Sequence, residues 1–254
     1  MITIKSKNEI EIMRKGCKIL AEILTEVEKK VAPGKNTLEL DKLAEELIFA
    51  RGGRPAFKNY GEENGKPFPA TICASVNDEI VHGIPDEKTI LKEGDIFKVD
   101  IGMVYEGYCS DMARTYAVGK ISSEAKKLIE VTDQCFWEGI KNLRNGGKLS
   151  DYSKTVQKYV EKNGFSVVRN LVGHGIGRDL HEDPHIPNFW NRKQQDIELK
   201  AGMVFALEPM VNVGGFETIF GHDGWVFKTS DKKLSAHYEN TVLITEGEPE
   251  VLTI

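Results

Sequence analysis

The chain repeats itself. Leu91-Lys92-Glu93-Gly94-Asp95-Ile96-Phe97-Lys98-Val99-Asp100 aligns with Leu199-Lys200-Ala201-Gly202-Met203-Val204-Phe205-Ala206-Leu207-Glu208, with Leu, Lys, Gly and Phe identical at one offset, 208 − 100 = 108. The last position sets a carboxylate on a carboxylate, Asp100 on Glu208. His82-Gly83-Ile84 echoes His174-Gly175-Ile176 at a different offset, as loops of unequal length would produce. Self-similarity of this kind restricts the fold to two related halves that face each other, with equivalent side chains on either side of one central site. No Pro/Ser-rich linker separates them, so the expectation is a single domain over 1–254, its halves roughly 1–120 and 121–254.

The elements recur in the same order. Ser6 and Glu9 form a capping box, after which Ile10, Met13, Cys17, Leu20, Leu24 and Val27 recur at helical spacing until Pro33-Gly34. A second helix is predicted from Thr37 to Gly52-Gly53. Ala70–Val76, Asp95–Val104 and Ser110–Val118 read as strands, being short, β-branched or alternating, and bounded by glycine. After Ser122 a long helix carries Leu128, Val131, Cys135, Ile140 and Leu143. Asn145-Gly146-Gly147 breaks it, and a shorter helix with Tyr152, Val156, Tyr159 and Val160 ends at Asn163-Gly164.

Composition removes several function classes. With 254 residues, 40% of them hydrophobic, the chain can bury a full core. A net charge of -5 offers no basic surplus for nucleic acid, and Lys29-Lys30 and Lys126-Lys127 read as solvated helix faces. The four cysteines, Cys17, Cys73, Cys109 and Cys135, form no CxxC pair, which argues against structural zinc and disulfides and fits a reducing cytoplasm. The N-terminal stretch has no apolar signal region and no run is long enough to span a bilayer, so no membrane association is expected.

Four carboxylates and one imidazole carry the chemistry. Asp100 is read as closing an apolar strand, with a turn at Tyr105-Glu106-Gly107 and Asp111 on the returning strand. A Tyr105-Glu106 turn sets the aspartates directly opposite, a Glu106-Gly107 turn sets them diagonally on one face, and a bulge would part them. Glu208 follows a buried apolar run and Glu239 opens the strand Asn240–Ile244, so each needs a metal or cationic partner. His174 stands between glycines that let the backbone approach a ligand closely. This oxygen-rich set suits two divalent ions sharing carboxylates better than one zinc, and points to hydrolysis by activated water. His181-Glu182-Asp183-Pro184-His185 matches the HExxH zincin pattern by letter, but Pro184 would break the helical turn that pattern needs. His222 and His237 are assigned structural or surface roles. GxSxG, Walker A and GxGxxG signatures are absent.

Seven ordered stretches, Val81-His82-Gly83-Ile84-Pro85, Val99-Asp100-Ile101-Gly102, Ser110-Asp111-Met112-Ala113-Arg114-Thr115, Gly173-His174-Gly175-Ile176-Gly177, Leu180-His181-Glu182-Asp183-Pro184, Leu207-Glu208-Pro209-Met210 and Ser235-Ala236-His237-Tyr238-Glu239-Asn240-Thr241, closely resemble type I methionine aminopeptidases. The likeness covers nearly the whole chain. It implies the α+β, pseudo-two-fold "pita-bread" fold, an antiparallel sheet with helices on its outer face. It also implies removal of initiator methionine from nascent polypeptides whose second residue is small, with the ribosome as a candidate partner. By the same likeness Asp100, Asp111, His174, Glu208 and Glu239 hold two divalent ions (Co, Mn, Fe or Zn), with Asp111 and Glu239 bridging. His82 and His181 contact substrate, and Glu208 shuttles a proton. Phe68, Cys73 and Trp225 are expected in the methionine pocket, and a monovalent cation near Asn77 and Ser235. Residues 61–66 look like an insertion relative to the family; otherwise the chain resembles the minimal bacterial form. Two other readings compete: a prolidase or Xaa-Pro aminopeptidase relative, which shares fold and ligands, and a catalytically silent binding module on the same fold.

Overall fold

The computed structural model describes residues 2–61, 65–190 and 196–254; the expected insertion therefore lies partly outside the described residues. Helices α1 (Lys7–Glu28) and α2 (Thr37–Ala50) open the chain. Strands β1 (Arg54–Pro55), β2 (Ile72–Val76), β3 (Glu79–Val81), β4 (Ile96–Tyr105) and β5 (Tyr108–Ala117) follow. Helices α3 (Ser123–Ile140) and α4 (Leu149–Lys162) begin the second half, then β6 (Ser166–Val167), β7 (Gly173–Gly175), β8 (Glu182–Ile186) and β9 (Val204–Leu207). The chain finishes with β10 (Met210–Asn212), β11 (Thr218–Phe220), β12 (Phe227–Thr229), β13 (Ser235–His237), β14 (Glu239–Leu243) and β15 (Glu250–Val251).

The expected helices are present with shorter ends. In α1 the Ser6 side chain accepts from the Glu9 amide while the Ser6 amide donates to the Glu9 carboxylate at 2.8 Å, the capping box read above. This helix stops at Glu28, ahead of Pro33-Gly34, and α3 stops at Ile140, leaving Leu143 beyond it yet buried. Both helices of each half pack on the sheet. Leu20, Leu24, Leu40 and Ile48 meet Phe97, Val99, Ile101 and Met103 of β4, whereas Leu128, Phe136, Tyr152 and Val156 meet Phe205, Leu207 and Val242. In β4 these apolar side chains alternate with Lys98, Asp100 and Gly102, which the strand's two-residue period turns to the other face.

The main sheet runs β1-β4-β5-β14-β9-β7-β8, with β2 on β4 and β15 on β14, every pair antiparallel. The two halves meet at β5 and β14, whose register covers only Ala113↔Glu239 and Met112↔Asn240. Threonine side chains extend the seam. Thr241 Oγ1 accepts from the Asp111 amide (3.1 Å) and donates to its carbonyl (2.8 Å), and Thr115 Oγ1 likewise accepts from the His237 amide (2.9 Å) and donates to its carbonyl (2.8 Å). Arg114 adds Nη1 bonds to the carbonyls of Ala113 and Glu239 and an Nη2 bond to Asn240 Oδ1.

That seam is pseudo-two-fold. Thr115 and Thr241 are related by 241 − 115 = 126, and so are Asp111 and His237 (237 − 111 = 126). Gly94 and Gly202 adopt matching φ values of 94° and 92°, and donate to Val118 and Ile244, again 126 apart. The repeat around Asp100 and Glu208 is thus one of structure as well as letters. The echo of His82 in His174 is not: Lys98 of β4 pairs with Ser75, and its counterpart Ala206 pairs with His174, so His174 stands at the position of Ser75.

Candidate metal centre

The β4–β5 turn is Glu106-Gly107, both with positive φ (48° and 83°), since Tyr105 pairs with Tyr108. Asp100 then opposes Ala113 and Asp111 opposes Gly102, making the two aspartates diagonal neighbours on one face. Asp100 does not close its strand, because β4 continues to Tyr105; both aspartates sit mid-strand, where the ladder fixes the backbone on both sides. Glu208 lies just past β9 and Glu239 opens β14. His174 is the middle residue of β7, and its glycine neighbours are required: a Cβ on Gly173 would lie 2.5 Å from the Ala206 carbonyl oxygen, and one on Gly175 2.0 Å from that of Asp183. His181 and His185 flank or lie in strand β8, so no helical zincin turn exists there.

These side chains converge on one cavity of about 80 Å³. Asp100, Asp111, His174, Glu208 and Glu239 form one end, with His82, His181, Phe68, Cys73 and Trp225 around the rest. Ligand atoms of Asp111, His174 and Glu239 lie within 4.8 Å of one another, and so do those of Asp100, His237 and Glu239. Glu239 belongs to both groups. His174 Nδ1 faces the Gly175 carbonyl at 2.9 Å, a bond that places the proton on Nδ1 and leaves the Nε2 lone pair toward Glu208 Oε1 (3.6 Å) and Asp111 Oδ2 (3.9 Å). A larger groove of about 590 Å³ between α1 and α3 contains only His237 of this set and lacks the convergent carboxylates.

The electrostatics call for a cation or protons among the carboxylates. Burial pushes the Asp100 carboxyl up to about 7, and burial with mutual repulsion pushes Asp111, Glu208 and Glu239 well above the usual carboxylate range. Asp100 Oδ1 and Asp111 Oδ1 are buried without a hydrogen-bond partner. Burial also drives His174 down to about 3, so its imidazole is neutral and free to ligate. Four crowded carboxylates and a neutral imidazole fit divalent cations.

His237 corrects the sequence reading. It is neither a surface residue nor a remote structural one. Its ring is 2% exposed, with Nε2 3.7 Å from Glu208 Oε2 and 3.8 Å from Glu239 Oε2 and neither nitrogen hydrogen-bonded. The overlooked signal was its two-residue spacing from Glu239, which in extended chain shares a face. Phe57, Tyr60 and Leu180 also line the cavity unforeseen, and Tyr60 Oη lies 2.5 Å from His181 Nδ1. Phe68 and Trp225 meet edge to face at 5.2 Å, and Trp225 also meets His82 at 6.4 Å. His82 holds a left-handed backbone (φ 60°), a strain typical of a side chain aimed into a site.

A pseudo-symmetric α+β frame around a buried carboxylate-rich centre defines a metal-dependent peptidase, and the chain belongs to metallopeptidase family M24, whose model matches residues 11–246. It stands there with the methionine aminopeptidases. The protein of that name from Clostridium perfringens (strain 13 / Type A) is 51% identical over 255 residues, covering 100% of this chain and 99% of the relative. Methionine aminopeptidase 1 of Bacillus subtilis (strain 168) is 46% identical, covering 100% and 99%. The crystal structure of methionine aminopeptidase from Rickettsia prowazekii superposes with a TM-score of 0.95 at 39% identity, covering all of both chains. All four cysteines are buried and free, and no helix among the described residues is long and apolar enough to cross a membrane.

Proposed function

We propose that this protein releases the N-terminal methionine of nascent polypeptides in the cytoplasm, using two divalent ions held by one catalytic unit spanning 1–254. The observation that carries the reading is the single cavity that unites five ligand side chains, two histidines and an apolar wall. Asp100, Asp111, His174, Glu208 and Glu239 would hold the ions. When bound, the ions supply Lewis-acid activation of water and of the scissile carbonyl. Glu208, at the solvent edge of the carboxylate group with 14% of its side chain exposed, would carry a proton from water to the leaving amine. His181 would donate to the developing oxyanion, oriented by Tyr60, and His82 would hold the substrate backbone. Phe68, Cys73 and Trp225, with Phe57 and Leu180, would enclose the thioether of methionine. A short cavity lined by aromatic rings would favour one unbranched side chain.

The test is hydrolysis of Met-Ala-Ser by the purified protein with added Co²⁺ or Mn²⁺, set against an Xaa-Pro peptide. Methionine release is expected. Cleavage confined to Xaa-Pro would move the protein to the prolidase side of the family, and inactivity with every metal would favour a silent binding module.

A further inference from the structure

Lys98 lies on the same face of β4 as Asp100, two residues before it, and is 1% exposed. A buried ammonium needs partners, and among the described residues no carboxylate is bonded to this one. Its Nζ donates instead to two main-chain carbonyls, those of Asn77 and Ser235, each at 2.8 Å. The two oxygens come from different halves of the molecule. Asn77 is a built corner: its backbone is left-handed (φ 52°), its amide donates to the Ile96 carbonyl, and its side chain accepts from the Ile96 amide and donates to Asp95. Ser235 donates its amide to that same Asn77 carbonyl at 3.1 Å and opens β13, which leads through His237 to Glu239. Burial pushes the ammonium down to about 7, and the carboxylates of Glu79, Asp78 and Asp95, at longer range, oppose that shift. Converging carbonyl oxygens with acids behind them are the environment a dehydrated alkali ion takes.

We propose that Lys98 is a built-in cation, its ammonium standing where a monovalent ion would otherwise bind between the Asn77 and Ser235 carbonyls, so that the chain ties its two halves behind the metal centre without recruiting such an ion. Lys98 is thereby a positioning residue. One fixed charge aligns three segments, β4 toward Asp100, the Asn77 corner toward His82, and β13 toward His237 and Glu239. The inference does not rest on the peptidase reading, because stability and ion binding report on it directly.

The experiment compares the unaltered protein with Lys98→Ala, which empties the position, and Lys98→Met, which fills it without charge. Thermal midpoints are measured in sodium, potassium, rubidium or choline chloride at equal ionic strength. The unaltered protein should give the same midpoint in all four, within about 1 °C. Lys98→Ala should fall by about 5 °C or more in choline and regain at least half of that loss in one of the alkali salts, whereas Lys98→Met should stay low in every salt. Anomalous scattering should find Rb⁺ against the Asn77 and Ser235 oxygens in Lys98→Ala and nothing there in the unaltered protein. If Lys98→Ala does not fold in choline, refolding yield in the alkali salts replaces the midpoint. The proposal is overturned if the unaltered protein gains stability from an alkali ion or binds Rb⁺ there. It is equally overturned if Lys98→Ala is unchanged in choline, or is weakened alike in all four salts.

Discussion

The two halves solve one geometric problem with different amounts of structure. The first half mounts Asp100 and Asp111 in the middle of a hairpin of two ten-residue strands, where a continuous ladder holds both backbones. The second half mounts the equivalent Glu208 and His237 at the ends of strands of four and three residues, with Pro209 interrupting the chain after Glu208. Its fragments are held by side chains instead, by Thr115 on His237, Arg114 on Glu239 and Asn240, and Asn188 Nδ2 on the Glu208 carbonyl. Continuous strands make a rigid platform. Broken strands leave the Glu208 carboxylate partly exposed, as the proton-carrying role proposed for it would require.

Removing a ligand from either half should have the largest effect. Asp111→Ala is expected to abolish methionine release while far-ultraviolet circular dichroism stays native, and His174→Ala should do the same; full activity in either would break the assignment of the five ligands. Metal-free protein should show the next largest effect, through pH. The folded carboxyls titrate above their unfolded values, Asp100 at about 7 and its three neighbours also raised, so the folded state binds more protons from about pH 4 upward. Their contribution to stability is therefore full below pH 4 and is lost as pH rises through 7. The thermal midpoint of chelator-treated protein should drop between pH 5 and 8, and added Mn²⁺ should restore it at the upper end. A midpoint insensitive to both would mean that the carboxylates are satisfied without a cation.

His237 marks how far the symmetry was legible in advance. The ten-residue match between Leu91–Asp100 and Leu199–Glu208 is contiguous and identifies one pair of equivalent positions. The second pair hides because it shares only a spacing: Asp111 precedes Thr115 by four residues as His237 precedes Thr241, and nothing else in those segments is alike. Helices were readable because capping and periodicity are local. The pieces β7, β10, β11, β12 and β13 were not, since three-residue strands are too short to show a period and are defined by the strands they pair with. The strand read over Asp95–Val104 holds, but the need for glycine at Gly102 was not legible: a Cβ there would lie 2.5 Å from the Phe57 ring, a contact that sequence does not display.

A smaller effect sharpens the comparison. His237→Ala should weaken metal binding or turnover by roughly 10- to 100-fold, as loss of an orienting neighbour does. His237→Gln, whose amide can still donate toward Glu208 and Glu239, should recover most of it. Equal losses in both variants, read by calorimetric metal titration, would assign His237 to packing alone. The smallest expected change is in the apolar wall. Trp225→Ala should raise KM for Met-Ala-Ser with kcat nearly unchanged, because in the proposed pocket the ring would contact the bound side chain in ground and transition states alike.

Among the described residues Glu239 falls in both candidate ligand groupings, and it sits on the seam where the halves meet. Counting bound Mn²⁺ in anaerobically prepared protein therefore tests the shared centre most directly. Two ions per chain are expected in the unaltered protein, and loss of both affinities in Glu239→Ala. A single ion, or a Glu239→Ala variant that keeps one site at full affinity, would contradict a centre built jointly by the two halves.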